Sequence, residues 1–512
     1  MKRMVCMTTL PEIVRSASLR IPSKIAVKYK GKNITYQQLY RQVSALAVNL
    51  QQKAHLAKGD RVGILLKNCP EYIIAYFACL EIGAVVVPLN TFLTAAELVY
   101  IFNDCQIKML ITAESFLPTV KKIQSSYPAA LDVICSGKKE PGILSWLEML
   151  DPHPINWPVI PGQKDDLAVI LYTSGTTGYP KGAMLSHDNL LSNIRSCAKA
   201  IELKDNDCFI LFLPMFHAFT FTVCVLLPLF IGAKTVILES VMPFHRVLKS
   251  LVIDRITVFV SIPVVYKLLL KAKIPAFFFF WVLPLRLCVS GGAPLPPEVQ
   301  AGFERRFKIP LLEGYGLSEA SPVVSINPLS DVRRPGSIGK PLPGVEVAVI
   351  DENGKEMETN EVGEIVIRGP NVMQGYYNAP ELTAQTLRGG WLYTGDMGRV
   401  NQDGYLYICD RKKDMILVHG MNVYSREVED VLLSHPQVLE VAVIGKKDEH
   451  HGEIPVAFVA LKEGQVLSAK DIINFCRAHL ANYKVPRQVR FFRSLPKTAT
   501  GKISKKELRA IL

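Results

Sequence analysis

ITYQQLYRQVSALAVNLQQ (Ile34–Gln52), RVGILLKN (Arg61–Asn68), EYIIAYFACLEIG (Glu71–Gly83) and AVVVPLN (Ala84–Asn90) are the stretches whose reading decides the fold. The first and third have the apolar period of helices, and the second and fourth are short β-branched runs, so helix and strand alternate. That alternation predicts parallel strands joined by helical crossovers. TVILES (Thr235–Ser240), ITVFVSIP (Ile256–Pro263) and LRLCVSGG (Leu285–Gly292) continue the pattern. Between about Gly336 and Gly404 the texture changes to short alternating strands, VEVAVIDENGKEM (Val345–Met357) and GEIVIRGP (Gly363–Pro370), with Asn353-Gly354 as a hairpin signal. After Asp410 the charge density rises in DRKKD, and the remainder has its own strands and helices, VLEVAVIG, IPVAFVALK and AKDIINFCRAHL. The expected class is α/β: a large N-terminal domain of parallel α/β sheets over 1–410 with a β-rich subdomain at about 336–404, then a mobile, smaller α+β C-terminal domain over 411–512.

A chain of 512 residues is long for one hydrophobic core, which agrees with at least two domains. Its 49% hydrophobic and 21% charged residues exclude disordered, collagen-like and disulfide-scaffold classes. Eleven cysteines with no CxxC pair suggest neither a disulfide framework nor a zinc site, so a reducing, cytoplasmic compartment is expected. The N-terminus does not read as a signal peptide. Cys208–Ala233 contains no Asp, Glu, Lys or Arg and is long enough to span a bilayer, but Pro214, His217 and Pro228 divide it into pieces resembling a strand, a loop and a buried helix. A formal charge of +13 suits phosphate-rich ligands or peripheral contact with the anionic inner face of a membrane. No zinc-finger or RNP-like pattern supports nucleic acid as a partner.

The strongest chemical signal follows the strand LAVILY: Thr173-Ser174-Gly175-Thr176-Thr177-Gly178-Tyr179-Pro180-Lys181-Gly182. Small residues let backbone amides approach phosphate oxygens, the hydroxyls add donors, and Lys181 adds positive charge. The Walker A spacing is absent, so this is a phosphate loop of another kind.

YTSGTTGYPKGAMLSH (Tyr172–His187) resembles the phosphate loop of the adenylate-forming superfamily of acyl-CoA synthetases, luciferases and peptide-synthetase adenylation domains. Other segments resemble that family's motifs in its order, across almost the whole chain. Ser290-Gly291-Gly292-Ala293-Pro294 resembles the adenine-side segment. Gly314-Tyr315-Gly316-Leu317-Ser318-Glu319 resembles the segment that stacks adenine on Tyr315 and turns Glu319 toward Mg2+. Asp396, in WLYTGD, and Arg411, in DRKKD, are implied ribose contacts, and Pro496–Lys502 resembles the loop that carries the catalytic lysine, here Lys502. Alone, Glu319 would read as a helix cap, Tyr315 as a core aromatic and Lys502 as one member of a basic tail with Lys505 and Lys506; their ordered company favours the site.

The resemblance implies ATP, Mg2+ and coenzyme A as reactants and cofactor, and a C-terminal domain that rotates between two half-reactions about Lys413. Gly420-Met421-Asn422 would then face the pantetheine path, with Gly420 allowing close backbone approach. Pro214-Met215-Phe216-His217-Ala218-Phe219 resembles the segment beside the carboxylate pocket, where His217 would position the acyl group. DRKKDMI with NVYSREVE looks especially like bacterial fatty acyl-CoA ligases, so a medium- or long-chain fatty acid is the expected substrate. Ser425 stands where many relatives carry proline, and a looser turn without loss of activity is expected there. Acyl carrier protein as acceptor and an aryl or short-chain acid are alternatives inside the family. A noncatalytic lipid-binding or membrane protein is the alternative from another class.

Overall fold

The computed structural model describes residues 7–137, 140–151, 162–173, 180–272, 284–330, 332–419, 421–448, 452–497 and 503–512. Its chain divides into two compact units, 1–346 with 367–392, and 347–366 with 393–512. The second unit thus takes in Asp396–Val400 and Leu406–Arg411, which exchange hydrogen bonds on both sides of the 410/411 position expected to separate domains.

In the first unit the expected helix begins at Tyr36, because Thr35 caps it. The Gln38 amide donates to Thr35 Oγ1 (3.2 Å) and the Thr35 amide donates to Gln38 Oε1 (2.9 Å), so two orphan donors are satisfied at once. Leu39, Val43, Leu46 and Leu50 recur at helical spacing and are buried. The helix Pro70–Glu81 starts with proline, whose missing N–H costs nothing there, and is buried at nearly every position.

These helices belong to two large sheets. An eight-stranded sheet has a parallel run of Leu167–Thr173, Val85–Pro88, Arg61–Leu65, Met109–Ala113 and Asp132–Ser136, extended antiparallel by Lys181–Ser186 and Gly375–Tyr376. A nine-stranded sheet has a parallel centre in the order Leu311–Gly316, Leu287–Ser290, Val258–Ser261, Cys208–Leu211, Lys234–Ile237, Ile25–Tyr29. Strands such as Val258–Ser261 and Leu287–Ser290 are buried throughout, as parallel strands covered on both faces must be. Their chemistry-bearing residues therefore sit at the carboxyl ends, where open α/β sheets bind ligands.

Cys208–Ala233 resolves into the strand Cys208–Leu211, the short helix Ala218–Phe221, a π-helical turn Thr222–Leu226 and the helix Leu227–Ile231, which Gly232 ends at φ +79°. Among the described residues no helix is long and apolar enough to cross a membrane. The apolar run serves the core instead.

In the second unit Val438–Asp448 and Gly452–Leu461 form a long antiparallel pair, flanked by Ile416–Val418 and by Gln488–Phe492, the latter parallel. Val428, Leu432, Ile472 and Cys476 from the helices Ser425–Ser434 and Ala469–His479 share a core with Val441, Val443, Ala457 and Val459 of that pair. At Asn353-Gly354 the Asn353 amide donates to Asp351 Oδ1 (2.8 Å), and Ile350 bridges Glu356 antiparallel.

Candidate active site

Ser174, Gly175, Thr176, Thr177, Gly178, Gly420 and Lys502 lie outside the described residues. The structure does place their frames. Thr173 and Lys181 are register partners across the antiparallel ladder on either side of 174–179, and Lys497 and Ile503 bridge on either side of 498–502.

The first unit brings Lys181 and Glu319 together on one aromatic side chain. The Tyr376 hydroxyl donates to Glu319 Oε1 (2.8 Å), and Lys181 Nζ stands 5.7 Å from the centroid of the same ring. Glu319 belongs to the turn Ser318–Ala320, pinned by the Met373 amide on Glu319 O (2.9 Å) and by Asn371 Nδ2 on Ala320 O (2.9 Å). Gly314, Tyr315 and Gly316 form the end of the strand that leads into this turn. Gly316 cannot carry a side chain, because a Cβ would fall 2.0 Å from Pro322 O. Just beyond the neighbouring strand Leu287–Ser290, Gly291 lets the Phe219 ring lie against the backbone, 2.8 Å from where a Cβ would be. Gly292 and Pro294 are exposed and Ala293 is half-buried.

His217 stands at the amino end of Ala218–Phe221, half-buried, with its carbonyl accepting from the Phe221 amide (3.0 Å). The preceding segment is clamped by buried Asn68: its Nδ2 donates to Leu213 O (3.0 Å) and Leu238 O (3.2 Å), and its Oδ1 accepts from the Met215 amide (2.9 Å). An aromatic cluster, Tyr72, Tyr76 and Phe221, packs below, with the Tyr76 and Phe221 centroids 4.2 Å apart. All three residues are buried.

The second unit holds the other group. Asp396 and Arg411 are register partners on adjacent strands, with Arg411 Nε 3.1 Å from Asp396 Oδ1. Asp396 is buried and Arg411 exposed, so a carboxylate is fixed by a cation that still reaches solvent. Lys413 follows; partial desolvation lowers its ammonium below the ordinary lysine value, with Asp414 opposing. Met421 and Asn422 are exposed on the strand Met421–Val423.

The looser turn expected at Ser425 is not what the chain forms. Ser425 is fully buried, and its amide donates to Asp410 Oδ2, a bond that proline could not make. Its hydroxyl donates to Asp410 Oδ1 (3.1 Å) and accepts from Lys505 Nζ (2.7 Å), which also pairs with Glu429 (2.7 Å). Asp410 receives the Arg426 amide as well (3.4 Å), so it acts as a distant cap for the helix Ser425–Ser434.

Sequence alone assigns no role to Tyr376, Asn68, Asn371 or Asp410. Tyr376 sits in QGYYN on a two-residue strand, and no periodicity or spacing singles it out.

The chain matches the family model described as AMP-binding enzyme over residues 14–377, and that of the AMP-binding enzyme C-terminal domain over 427–502. It is 36% identical to a long-chain-fatty-acid–CoA ligase of Bacillus subtilis (strain 168), covering 98% of this chain and 94% of that one. It is also 36% identical to a feruloyl-CoA synthase of Amycolatopsis sp, covering 95% and 96%. The crystal structure of ATP-bound MatB from Rhodopseudomonas palustris superposes with a TM-score of 0.91 at 31% identity, covering 98% of both chains. The chain belongs to the AMP-binding enzyme family. Within it, the chain falls in the class of AMP-forming acyl-CoA ligases, which use ATP, Mg2+ and coenzyme A.

Proposed function

We propose that this enzyme activates a medium- or long-chain fatty acid to acyl-AMP with release of pyrophosphate, then transfers the acyl group to the thiol of coenzyme A. The observation that carries this reading is the meeting of Lys181 and Glu319 on Tyr376, beside the ends of the phosphate-loop hairpin. A cation and a hard carboxylate held together fit a polyphosphate with its divalent ion.

In the first step a carboxylate oxygen of the fatty acid forms a bond to the α-phosphorus and pyrophosphate leaves. Two anions must approach, so the site has to offset their repulsion. Lys181 and Lys502 supply positive charge, Thr173, Ser174, Thr176 and Thr177 supply hydroxyl and amide donors with Gly175 and Gly178, and Tyr315 stacks the adenine. Gly291, Gly292, Ala293, Pro294, Gly314, Gly316 and Ser318 shape the nucleotide pocket, and His217 positions the acyl carboxylate. Glu319 would hold Mg2+, whose chemistry is to neutralise charge on the phosphates. Asp396 and Arg411 hold the ribose.

In the second step the thiol attacks the carbonyl carbon and AMP leaves. Rotation of residues 411–512 about Lys413 withdraws Lys502 and presents Gly420, Met421 and Asn422 to the pantetheine arm. The resemblance of DRKKDMI and NVYSREVE to bacterial fatty acyl-CoA ligases, with the likeness to the Bacillus subtilis long-chain-fatty-acid–CoA ligase over 98% of this chain, supports a fatty acid over an aryl acid.

The test is incubation of the purified protein with ATP, Mg2+ and coenzyme A against short- to long-chain fatty acids and aryl acids, with AMP and thioester measured together by mass spectrometry. Fatty acyl-CoA with AMP is expected. A thioester formed only from aryl acids overturns the substrate class, and acyl-AMP without thioester turns the acceptor to acyl carrier protein. Lys413→Pro should slow the complete reaction while leaving adenylation near the parent rate; a parent rate for both rules out the hinge.

A further inference from the structure

Tyr376 belongs to none of the motifs, yet it touches two groups that do. It lies on the strand Gly375–Tyr376, opposite Ala183 of Lys181–Ser186, which makes Lys181 its diagonal neighbour on that ladder. The strand is anchored on both sides: the Tyr376 amide donates to Thr383 Oγ1 (2.8 Å), and the Tyr377 amide donates to Gly182 O (2.8 Å). Asn189 Nδ2 holds the preceding loop through Pro370 O (2.8 Å) and Val372 O (2.9 Å). The residue is only 8% exposed, so the ring is packed on its strand.

From that fixed position the hydroxyl donates to Glu319 Oε1 (2.8 Å), while Glu319 Oε2 takes no hydrogen bond from the described residues. One carboxylate oxygen is thus committed to orientation and the other is left for a ligand. The ring face attracts the Lys181 ammonium at 5.7 Å.

We propose that Tyr376 is a positioning residue for adenylation: its hydroxyl fixes the rotamer of Glu319 for the divalent cation, and its ring seats Lys181 for the triphosphate. The proposal rests on the reading of Glu319 as the Mg2+ carboxylate. It joins the phosphate-loop hairpin to the carboxylate turn through one side chain, so that the cation and the anion of the site are set at a constant separation before nucleotide arrives.

The test is titration calorimetry of ATP binding to the full chain, with EDTA and with excess Mg2+, for the parent, Tyr376→Phe, Tyr376→Leu, Glu319→Gln and the double variant Tyr376→Phe/Glu319→Gln. Tyr376→Phe keeps the ring, so metal-free binding should match the parent, while the tightening produced by Mg2+ should fall by about tenfold, the worth of a hydrogen bond to a charged group. Tyr376→Leu should lose that tightening and also weaken metal-free binding, because Lys181 loses its seat. The double variant should behave as Glu319→Gln alone. Parent-like Mg2+ tightening in both Tyr376 variants, with the tightening lost in Glu319→Gln, overturns the positioning role and leaves the Glu319 reading intact. Parent-like tightening in Glu319→Gln overturns the Glu319 reading and the proposal with it. A further loss in the double variant beyond Glu319→Gln also overturns it, since Tyr376 would then act elsewhere.

Discussion

Lys181 and Glu319 are fixed by a backbone ladder and a buried ring, whereas Asp396 and Arg411, though partners on a ladder of their own, lead into a segment tied by half-exposed ion pairs. In the first unit the supports are the antiparallel register of Leu167–Thr173 with Lys181–Ser186 and the bonds from 371–377 to the Ser318–Ala320 turn. In the second unit the register of Trp391–Val400 with Leu406–Arg411 is supplemented by Arg411 with Asp396 (3.1 Å), Lys412 with Glu364 (2.8 Å) and Arg509 with Asp414 (2.5 Å), in each of which the cation is exposed. Such half-exposed pairs contribute about 1 kcal/mol or less and weaken with salt. The difference teaches where rigidity belongs. A nucleotide pocket gains from fixed groups, while the Arg411–Asp396 and Lys412–Glu364 pairs, which cross the boundary of the proposed moving part, can exchange at little cost.

The largest expected effect concerns the residue that the comparison assigns to the movable side. Lys502→Ala should slow acyl-AMP formation by roughly 100- to 1,000-fold while thioester formation from supplied acyl-AMP stays within about threefold of the parent, measured by single-turnover assays. Equal losses in both steps would mean that Lys502 does not leave the site between them.

Asp410 is the exception within the second unit, a buried carboxylate with four donors: the amides of Arg411, Ser425 and Arg426 and the Ser425 hydroxyl. Asp410→Ala leaves those donors and the Lys505 charge poorly compensated, at a cost of about 3 kcal/mol. Hydrogen exchange of the helix Ser425–Ser434 should accelerate by roughly 100-fold. Unchanged exchange would place this network with the weak pairs.

In the first unit, burial lowers His187 to about 4, and its Nδ1 accepts from the Leu10 amide (3.2 Å). The folded value lies below the unfolded one, so the unfolded chain binds the proton more readily and stability falls as pH drops from about 6.5 toward 4. The loss amounts to about 3 kcal/mol, read as a declining unfolding midpoint in denaturant. His187→Asn retains an acceptor without titrating there, and should flatten that decline.

Ser425→Pro gives the smallest effect. Proline suits the first turn of a helix, but it removes the amide donor to Asp410 and the hydroxyl that Lys505 contacts, for a net cost of about 1 kcal/mol. A stabilised variant would return the turn to the loose form expected from sequence.

Much of the molecule was legible in the chain because local pattern and burial agree. The capped helix Tyr36–Gln52, the buried strands and the interruption of Cys208–Ala233 follow from apolar period, proline and capping chemistry, each acting within a few residues. Asp396 with Arg411 could be nominated by motif, but their ion pair depends on a register fifteen residues apart in sequence. Ser425 departs from the expected loose turn for the same reason: its partners Asp410 and Lys505 are distant in the chain, and sequence offers only the absence of proline.

The sequence by itself determined the α/β class, the order of the motifs and the identities of the charged groups that chemistry with ATP requires. Only the tertiary structure decided that a tyrosine from a two-residue strand joins Lys181 to Glu319, that Asn68 clamps the segment before His217, and that Asp410 caps a helix it does not belong to. Periodicity and spacing report what a residue does to its neighbours in the chain. Hydrogen bonds between remote elements depend on strand register and packing, and those exist only once the sheets have assembled.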